Sequence, residues 1–302
     1  MNAWRAAPMP ARYAKAPALV TVVAMATVPA LAAFSVCHPP SDRELVHVAH
    51  TVIAPGKSRP ASDSSVDIVE TLVRARIWSQ RGHAFGVVHD YRAHQIVTGA
   101  NGPQTNGHLH RLSPRYRFSG ERWDVSASPV VATSSNVGRH PGEIQRAVID
   151  WHGSLTHRAR LGTHITGYAG ACRDDRFGRI RVSPLLGATW DAGGAVRATV
   201  GWPDSAFEWD VNPQWQIRGA VNPIGGRWAV YDDGLERRTG FRYAGWRVRF
   251  SLGFRAAAHR VAVVVGRDIR RSFRFRLDDG GAFSSDFDNA SAIGVEWRWV
   301  RR

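Results

Sequence analysis

From residue 65 to the end of the chain, apolar and polar residues alternate with a period of two, and almost no stretch carries helical spacing. Trp123, Val125, Ala127, Pro129 and Val131 fall on one face, with Asp124, Ser126 and Ser128 on the other. Ile149, Trp151, Gly153 and Leu155 alternate with Asp150, His152, Ser154 and Thr156, and Arg158 and Arg160 continue the polar row. Downstream, Trp246, Val248, Phe250, Leu252 and Phe254 alternate with Arg247, Arg249, Ser251 and Arg255, while Phe273, Phe275 and Leu277 alternate with Arg274 and Arg276. The pattern predicts long strands. Asp191-Ala192-Gly193-Gly194, Asn222-Pro223-Ile224-Gly225-Gly226 and Asp278-Asp279-Gly280-Gly281 read as reverse turns, because glycine and asparagine tolerate positive φ. Without an internal repeat, the strands are expected to form a single antiparallel meander.

Alternation requires that one face be covered but does not say by what. In a soluble sandwich the apolar face meets a core and the arginines meet water; in a membrane barrel the apolar face meets lipid and the arginines line the lumen. Strands of about 9–11 residues match a tilted membrane crossing. The chain's 12 Trp and 6 Tyr supply the interfacial side chains of aromatic girdles, and they recur near strand ends at Trp123, Trp190, Trp202, Trp228 and Trp297. The expected fold is therefore all-β: a single antiparallel transmembrane β-barrel over residues 65–302. About 20 residues per strand and loop give about 12 strands, within a range of about 10–14.

The N-terminal stretch 1–32 has the layout of a secretory signal peptide: Arg5, Arg12 and Lys15, an apolar Ala/Val run, and Ala30-Leu31-Ala32 before the expected cut. Residues 33–64 read as a Pro-rich periplasmic linker, carrying Pro39, Pro40, Pro55 and Pro60 and a Ser-Asp-Ser-Ser run. Cys37 and Cys172 are the two cysteines, enough for one disulfide in an oxidising compartment and too few for a disulfide framework.

The chain holds 40 Lys and Arg against 25 Asp and Glu, for a net charge of +15, and only Lys15 and Lys57 are lysines. A contiguous basic tail would point to nucleic acid, but these arginines sit every second residue within strands of an exported chain, so no nucleic-acid partner is expected. With the apolar face outward, Arg158, Arg160, Arg218, Arg247, Arg249, Arg274, Arg276 and Arg298 are the expected lumen residues, and Asp124, Asp150 and Glu296 are the acids beside them. Rings of arginine favour anions, so the expected function is a small, weakly anion-selective pore for small anionic solutes. The alternative is a barrel filled by its own charges, serving as a non-conducting structural envelope protein. The expected partners are outer-membrane lipids and lipopolysaccharide.

Ala292-Ile293-Gly294-Val295-Glu296-Trp297-Arg298-Trp299 resembles the C-terminal signal by which Gram-negative outer-membrane barrels are handed to the barrel assembly machinery, with Gly294, Trp297 and Trp299 at its fixed positions. Ala292 and the extra Val300-Arg301-Arg302 depart from that pattern. Across 151–266, Trp151-His152-Gly153-Ser154, the 184–190 strand, Gly201-Trp202-Pro203 and the 212–228 hairpin resemble an uncharacterised family of Gram-negative outer-membrane β-barrels. The resemblance implies an outer-membrane barrel and no catalytic residue.

Because some barrels hydrolyse lipid A or phospholipid, the histidines are candidate bases. His152 with Ser154 and His89 with Asp90 are the best local pairs, but residues two apart on a strand lie about 6–7 Å apart and form no dyad by themselves. The chain also lacks metal-ligand cysteine spacings, phosphate-binding glycine loops and His-Glu-x-x-His, so neither a cofactor, a metal nor enzymatic activity is expected.

Overall fold

A computed structural model describes Cys37 and residues 44–59, 65–97, 105–139, 148–232, 237–277 and 282–301. The segment read as a signal peptide lies outside the described residues. Fifteen strand segments follow one another: β1 (Glu44–Arg59), β2 (Ser65–Gln80), β3 (His83–Val97), β4 (Thr105–Ser119), β5 (Trp123–Ser134), β6 (Val148–Arg160), β7 (Ile165–Asp174) and β8 (Arg181–Asp191). The series continues with β9 (Val196–Trp202), β10 (Ser205–Asp210), β11 (Trp215–Asp232), β12 (Arg237–Ala256), β13 (His259–Leu277), β14 (Ala282–Phe287) and β15 (Ala290–Val300). Each pairs antiparallel with its chain neighbours, except that β14 and β15 do not pair with each other. β14 and β15 both lie between β13 and β1, so they are two lengths of one stave, and the sheet closes into a 14-stave barrel.

Fourteen staves exceed the expected 12 because one of them, β1, lies in the stretch read as linker and several turns are tighter than the average allows. Arg81 (φ 49°) and Gly82 (φ 83°) join β2 to β3 in a two-residue turn with both φ values positive, the geometry that follows the sheet's twist. Asp191 caps the β8–β9 turn by accepting hydrogen bonds from the amides of Gly193 (3.2 Å) and Gly194 (3.0 Å), as that cluster predicted.

Two readings of the sequence are corrected. The stretch read as linker contains β1, whose Val46, Val48 and Val52 alternate with His47, Ala49 and Ile53. Its proline, Pro55, sits where the pairing with β2 slips between Ile53 and Gly56. The Asn222–Gly226 cluster is no turn but lies inside β11. Its glycines serve close packing there: a Cβ on Gly225 would stand 2.6 Å from the Arg176 carbonyl oxygen.

Along most of the wall the outward side chains are apolar and the inward ones polar. Ile149 (60% exposed), Trp151 (63%) and Leu155 (51%) face out, whereas their neighbours His152 (5%) and Ser154 (9%) are buried. Phe250, Leu252, Val261, Val263, Val265, Ile293 and Val295 continue this outer belt. So large an apolar surface on a closed barrel is the lipid-facing pattern. Trp78, Trp123, Trp190, Trp209, Trp215 and Trp299 ring the edge where β1 starts and β15 ends.

The phase reverses in the upper part of β13. Gly245 on β12 has no counterpart in the pairing, and Arg270 takes φ 52° beside the slip, so an extra residue on β13 turns the strand over. Phe273 and Phe275 therefore point inward (2% and 1% exposed), and Arg274 and Arg276 point out. Positive φ is costly for a β-branched side chain. Arg270→Val is thus expected to lower barrel stability by about 1–3 kcal/mol, read as an earlier urea midpoint in lipid vesicles, whereas Arg270→Gly should not.

Candidate functional site: an arginine-lined interior beneath an apolar plug

The interior has two storeys, and their origin is a difference in strand length. β9 and β10 are seven and six residues long, whereas β11, β12 and β13 run to 18, 20 and 19. β10 accompanies β11 only as far as Val221, leaving the far half of β11 with a free edge. That edge is covered from elsewhere: Ala229 pairs with Thr133 of β5, the Arg227 amide donates to Asp175 (2.9 Å), and the Tyr231 amide donates to Ser134 Oγ (3.3 Å). Away from the termini, β11–β15 and β1–β5 thus close on themselves as a narrower ring of nine staves.

This ring is filled. Ile53, Val66, Ile68, Leu109, Val130, Trp228, Phe241, Tyr243, Phe273, Phe275 and Phe287 belong to one contiguous buried cluster. His94 of β3 stacks on Phe241 of β12 with ring centroids 5.1 Å apart, and the Arg92 and Arg111 guanidinium groups lie 5.1 and 4.7 Å from the Trp228 ring centroid. β3, β4, β11 and β12 meet across the bore at this height.

Below the plug runs a belt of buried charge. Arg247 grips Asp268 with Nε (2.6 Å) and Nη2 (2.8 Å), and its Nη1 reaches Glu70 Oε2 at 2.7 Å. Glu70 stands on β2, separated from β12 along the wall by β13, the β14–β15 stave and β1, so this contact spans the interior. Arg92 adds ion pairs to Glu70 (3.4 Å) and Asp90 (3.3 Å).

Toward the start of β1 and the end of β15 the interior holds two hollows whose walls mix arginines with apolar side chains. In one, Glu44, Arg74, Arg76, Arg115 and Arg117 stand beside Leu45, Phe85, Val87 and Val88; in the other, Gln216, Arg218, Arg255, Arg260, Glu296 and Arg298 stand beside Phe254, Val261 and Ala262. Arg260, Arg298, His47 and Arg74 pair across neighbouring strands, in one row along this wall. Their carboxylate partners are few: Glu44 lies 3.7 Å from Arg74, and Glu296 serves both Arg249 (3.0 Å) and Arg298 (2.6 Å). Among the described residues, Nε and Nη2 of Arg74 and Nε of Arg218 have no hydrogen-bond partner. Buried guanidinium donors left open in this way suit a small anion.

Of the eight arginines singled out by sequence, Arg158, Arg218, Arg247, Arg249 and Arg298 share the inner face, held by Asp124 (2.8 Å), Glu208 (3.0 Å), Asp268, Glu296 and Glu296 respectively. Arg160 is exposed at the end of β6, and the reversal in β13 puts Arg274 and Arg276 outside. Arg74, Arg115, Arg117, Glu44, Glu70 and Asp268 escaped sequence reasoning. Glu44 lay in the supposed linker, and the β2–β4 region mixes polar residues on both faces. Gly294 packs its backbone against His50 and Thr51 of β1, while Trp297 stacks on His259 (5.8 Å) and Trp299 is 43% exposed.

Neither hydrolase pair comes together as nucleophile and base. Ser154 Oγ bonds Ser126 Oγ at 2.8 Å, whereas His152 Nε2 faces Asp175 at 3.7 Å. His89 faces outward against His110 (3.3 Å), and Asp90 faces Arg92. The Cys37–Cys172 disulfide (Cα–Cα 5.6 Å) fastens Cys37 to the inner face of β7, with Cys37 Sγ 3.0 Å from Asp174.

No protein-family model and no curated protein matches the sequence. Among solved structures, the chain is similar to an outer-membrane channel from Pseudomonas putida F1 (TM-score 0.44, 10% identity, 87% of this chain and 99% of that one). It is also similar to the Pseudomonas putida toluene transporter TodX (0.39, 9%, 85% and 89%) and to the KdgM porin in complex with disordered oligogalacturonate (0.36, 9%, 83% and 98%). At these identities the function has to be argued from the chain's own residues.

Proposed function

We propose that the chain is an outer-membrane β-barrel that admits small anions into its arginine-lined hollows, and that in the conformation described the apolar plug shuts the passage. The observation that carries this reading is the pairing of an apolar outer belt with an arginine-rich interior whose bore, among the described residues, is packed with apolar side chains at one end only. By the usual placement of barrel termini, the open hollows face the periplasm and the plugged ring faces outward. Strand β15 presents its terminal aromatics to the assembly machinery.

The test is planar-bilayer recording of the mature protein under a KCl gradient, using protein whose gel mobility changes on heating, as folded barrels show. Brief, infrequent openings with an anion-selective reversal potential are expected. Large, steady currents in the wild type would overturn the plug, and cation selectivity would overturn the arginine lining. The filled nine-stave ring also favours a second reading, a non-conducting structural barrel. That reading requires silence even when the plug is cut away.

A further inference from the structure

Five arginines gather on the outer face, away from the lumen. Arg227 of β11 pairs directly with Arg242 of β12, and Arg242 pairs with Arg274 of β13, so three guanidinium groups stand side by side across three strands. Arg276 lies two residues further along β13. Arg179 is brought in by the β7–β8 connection, where Gly178 packs close to the Tyr243 carbonyl and Ala244 of β12. Arg227, Arg274, Arg276 and Arg179 all act electrostatically on Arg242. Arg179, Arg274 and Arg276 are exposed. Among the described residues, the acids near this face are Asp150, 3.5 Å from Arg227, and the exposed Asp286, which pairs with Ser272 two residues before Arg274.

Like charges placed directly opposite across strands destabilise a sheet, so the fold gains nothing from this row by itself. A polyanion bound over it would remove the repulsion.

The height of the patch identifies the polyanion. Phe177, Trp202 and Trp246 form an outward aromatic cluster, with ring centroids 5.5–6.2 Å apart. From Ala256, beside the β12–β13 turn, to Trp246 is ten residues of tilted strand. That is about 25 Å of height, the depth of a barrel's lipid-facing band. Arg242 lies four residues beyond Trp246, about 10 Å higher, where lipid headgroups begin. It is also at the end remote from the start of β1 and the end of β15.

We propose that Arg179, Arg227, Arg242, Arg274 and Arg276 form a binding site for the phosphate groups of an outer-leaflet glycolipid of the lipid A type, with its acyl chains lying along Trp246 and Phe250. Arginine is suited to this because its planar fork engages phosphate oxygens in pairs. The site rests on the outer-membrane placement proposed above and is independent of whether the barrel conducts.

The test uses the full mature chain in detergent, with native mass spectrometry reading retained lipid. Bis-phosphorylated lipid A, the same lipid with its phosphates removed, and inorganic phosphate as competitor are compared. The expected result is retention of the phosphorylated lipid, weakened about tenfold in Arg242→Gln/Arg274→Gln and about tenfold for the dephosphorylated lipid. Excess inorganic phosphate should not displace it, and Arg122→Gln/Arg301→Gln, at the opposite end, should bind as the wild type does. Should the first variant fail to fold, Arg179→Gln/Arg276→Gln alters only exposed side chains and is expected to show the same loss. Unchanged retention in a folded variant, equal binding of dephosphorylated lipid, or displacement by inorganic phosphate would each overturn the site. Failure of the outer-membrane reading would show separately, as a protein that does not insert into vesicles.

Discussion

Trp228→Ala/Phe241→Ala is expected to turn a mostly silent barrel into a steadily conducting, anion-selective one. Both rings are almost wholly buried inside the nine-stave ring, at 1% and 2% exposure, and they touch each other with centroids 5.8 Å apart. They come from neighbouring strands and reach across to His94 of β3 and to the guanidinium groups of Arg92 and Arg111, so together they hold most of the contact across the bore. Cutting both to methyl groups costs about 3–5 kcal/mol each if the ring stays rigid and dry. A cavity beside buried charge is polar enough to take up water, which lowers that cost and creates the conducting path. Selectivity should then follow the arginines beneath. Trp228→Phe, which keeps a ring in place, should stay shut. A folded, inserted double variant that stays silent would sink the pore reading and leave the structural one.

The outward belt and inward arginines were legible because the period of two runs unbroken through β6, β15, the first half of β5 and β12 from Trp246 onward. Three features were not legible, each for a physical reason. A single extra residue at Arg270 reverses every side chain beyond it, and no local residue type announces that, since Arg at positive φ looks like any other arginine in a strand. That one residue moved Phe273 and Phe275 into the plug and Arg274 and Arg276 to the outer surface. β1 was hidden because Pro55 and the prolines on either side of the strand suggested a linker, although its valines already alternate. The plug itself depends on β10 stopping at Asp210 while β11 continues to Asp232, a mismatch between strands that only their pairing reveals. The sequence therefore supported a polar lumen along the whole bore, whereas the upper third is packed like a soluble core.

Loss of the Arg247 guanidinium is expected to be the most damaging single change in the polar belt. Arg247→Ala should reduce stability by about 3–5 kcal/mol, the cost of stranding buried charge whose partner is gone. Asp268 is fully buried and, among the described residues, would retain the Tyr243 hydroxyl at 3.4 Å as its hydrogen-bond partner, and Glu70 would keep its ion pair with Arg92. Arg247→Lys preserves the charge but not the two-pronged grip on Asp268, so an intermediate loss is expected. If the damage comes from stranded charge and not from a missing strut, neutralising the partners should repair it. Arg247→Met combined with Glu70→Gln and Asp268→Asn should then recover most of the loss, because a matched neutral set avoids the desolvation of all three ions. Urea midpoints of vesicle-inserted protein, followed by tryptophan fluorescence, decide the matter. An Arg247→Ala midpoint equal to that of the wild type would mean that water reaches the pair and that the lumen is open at this height. The plug would then be the sole barrier, and the Trp228→Ala/Phe241→Ala currents should be correspondingly large.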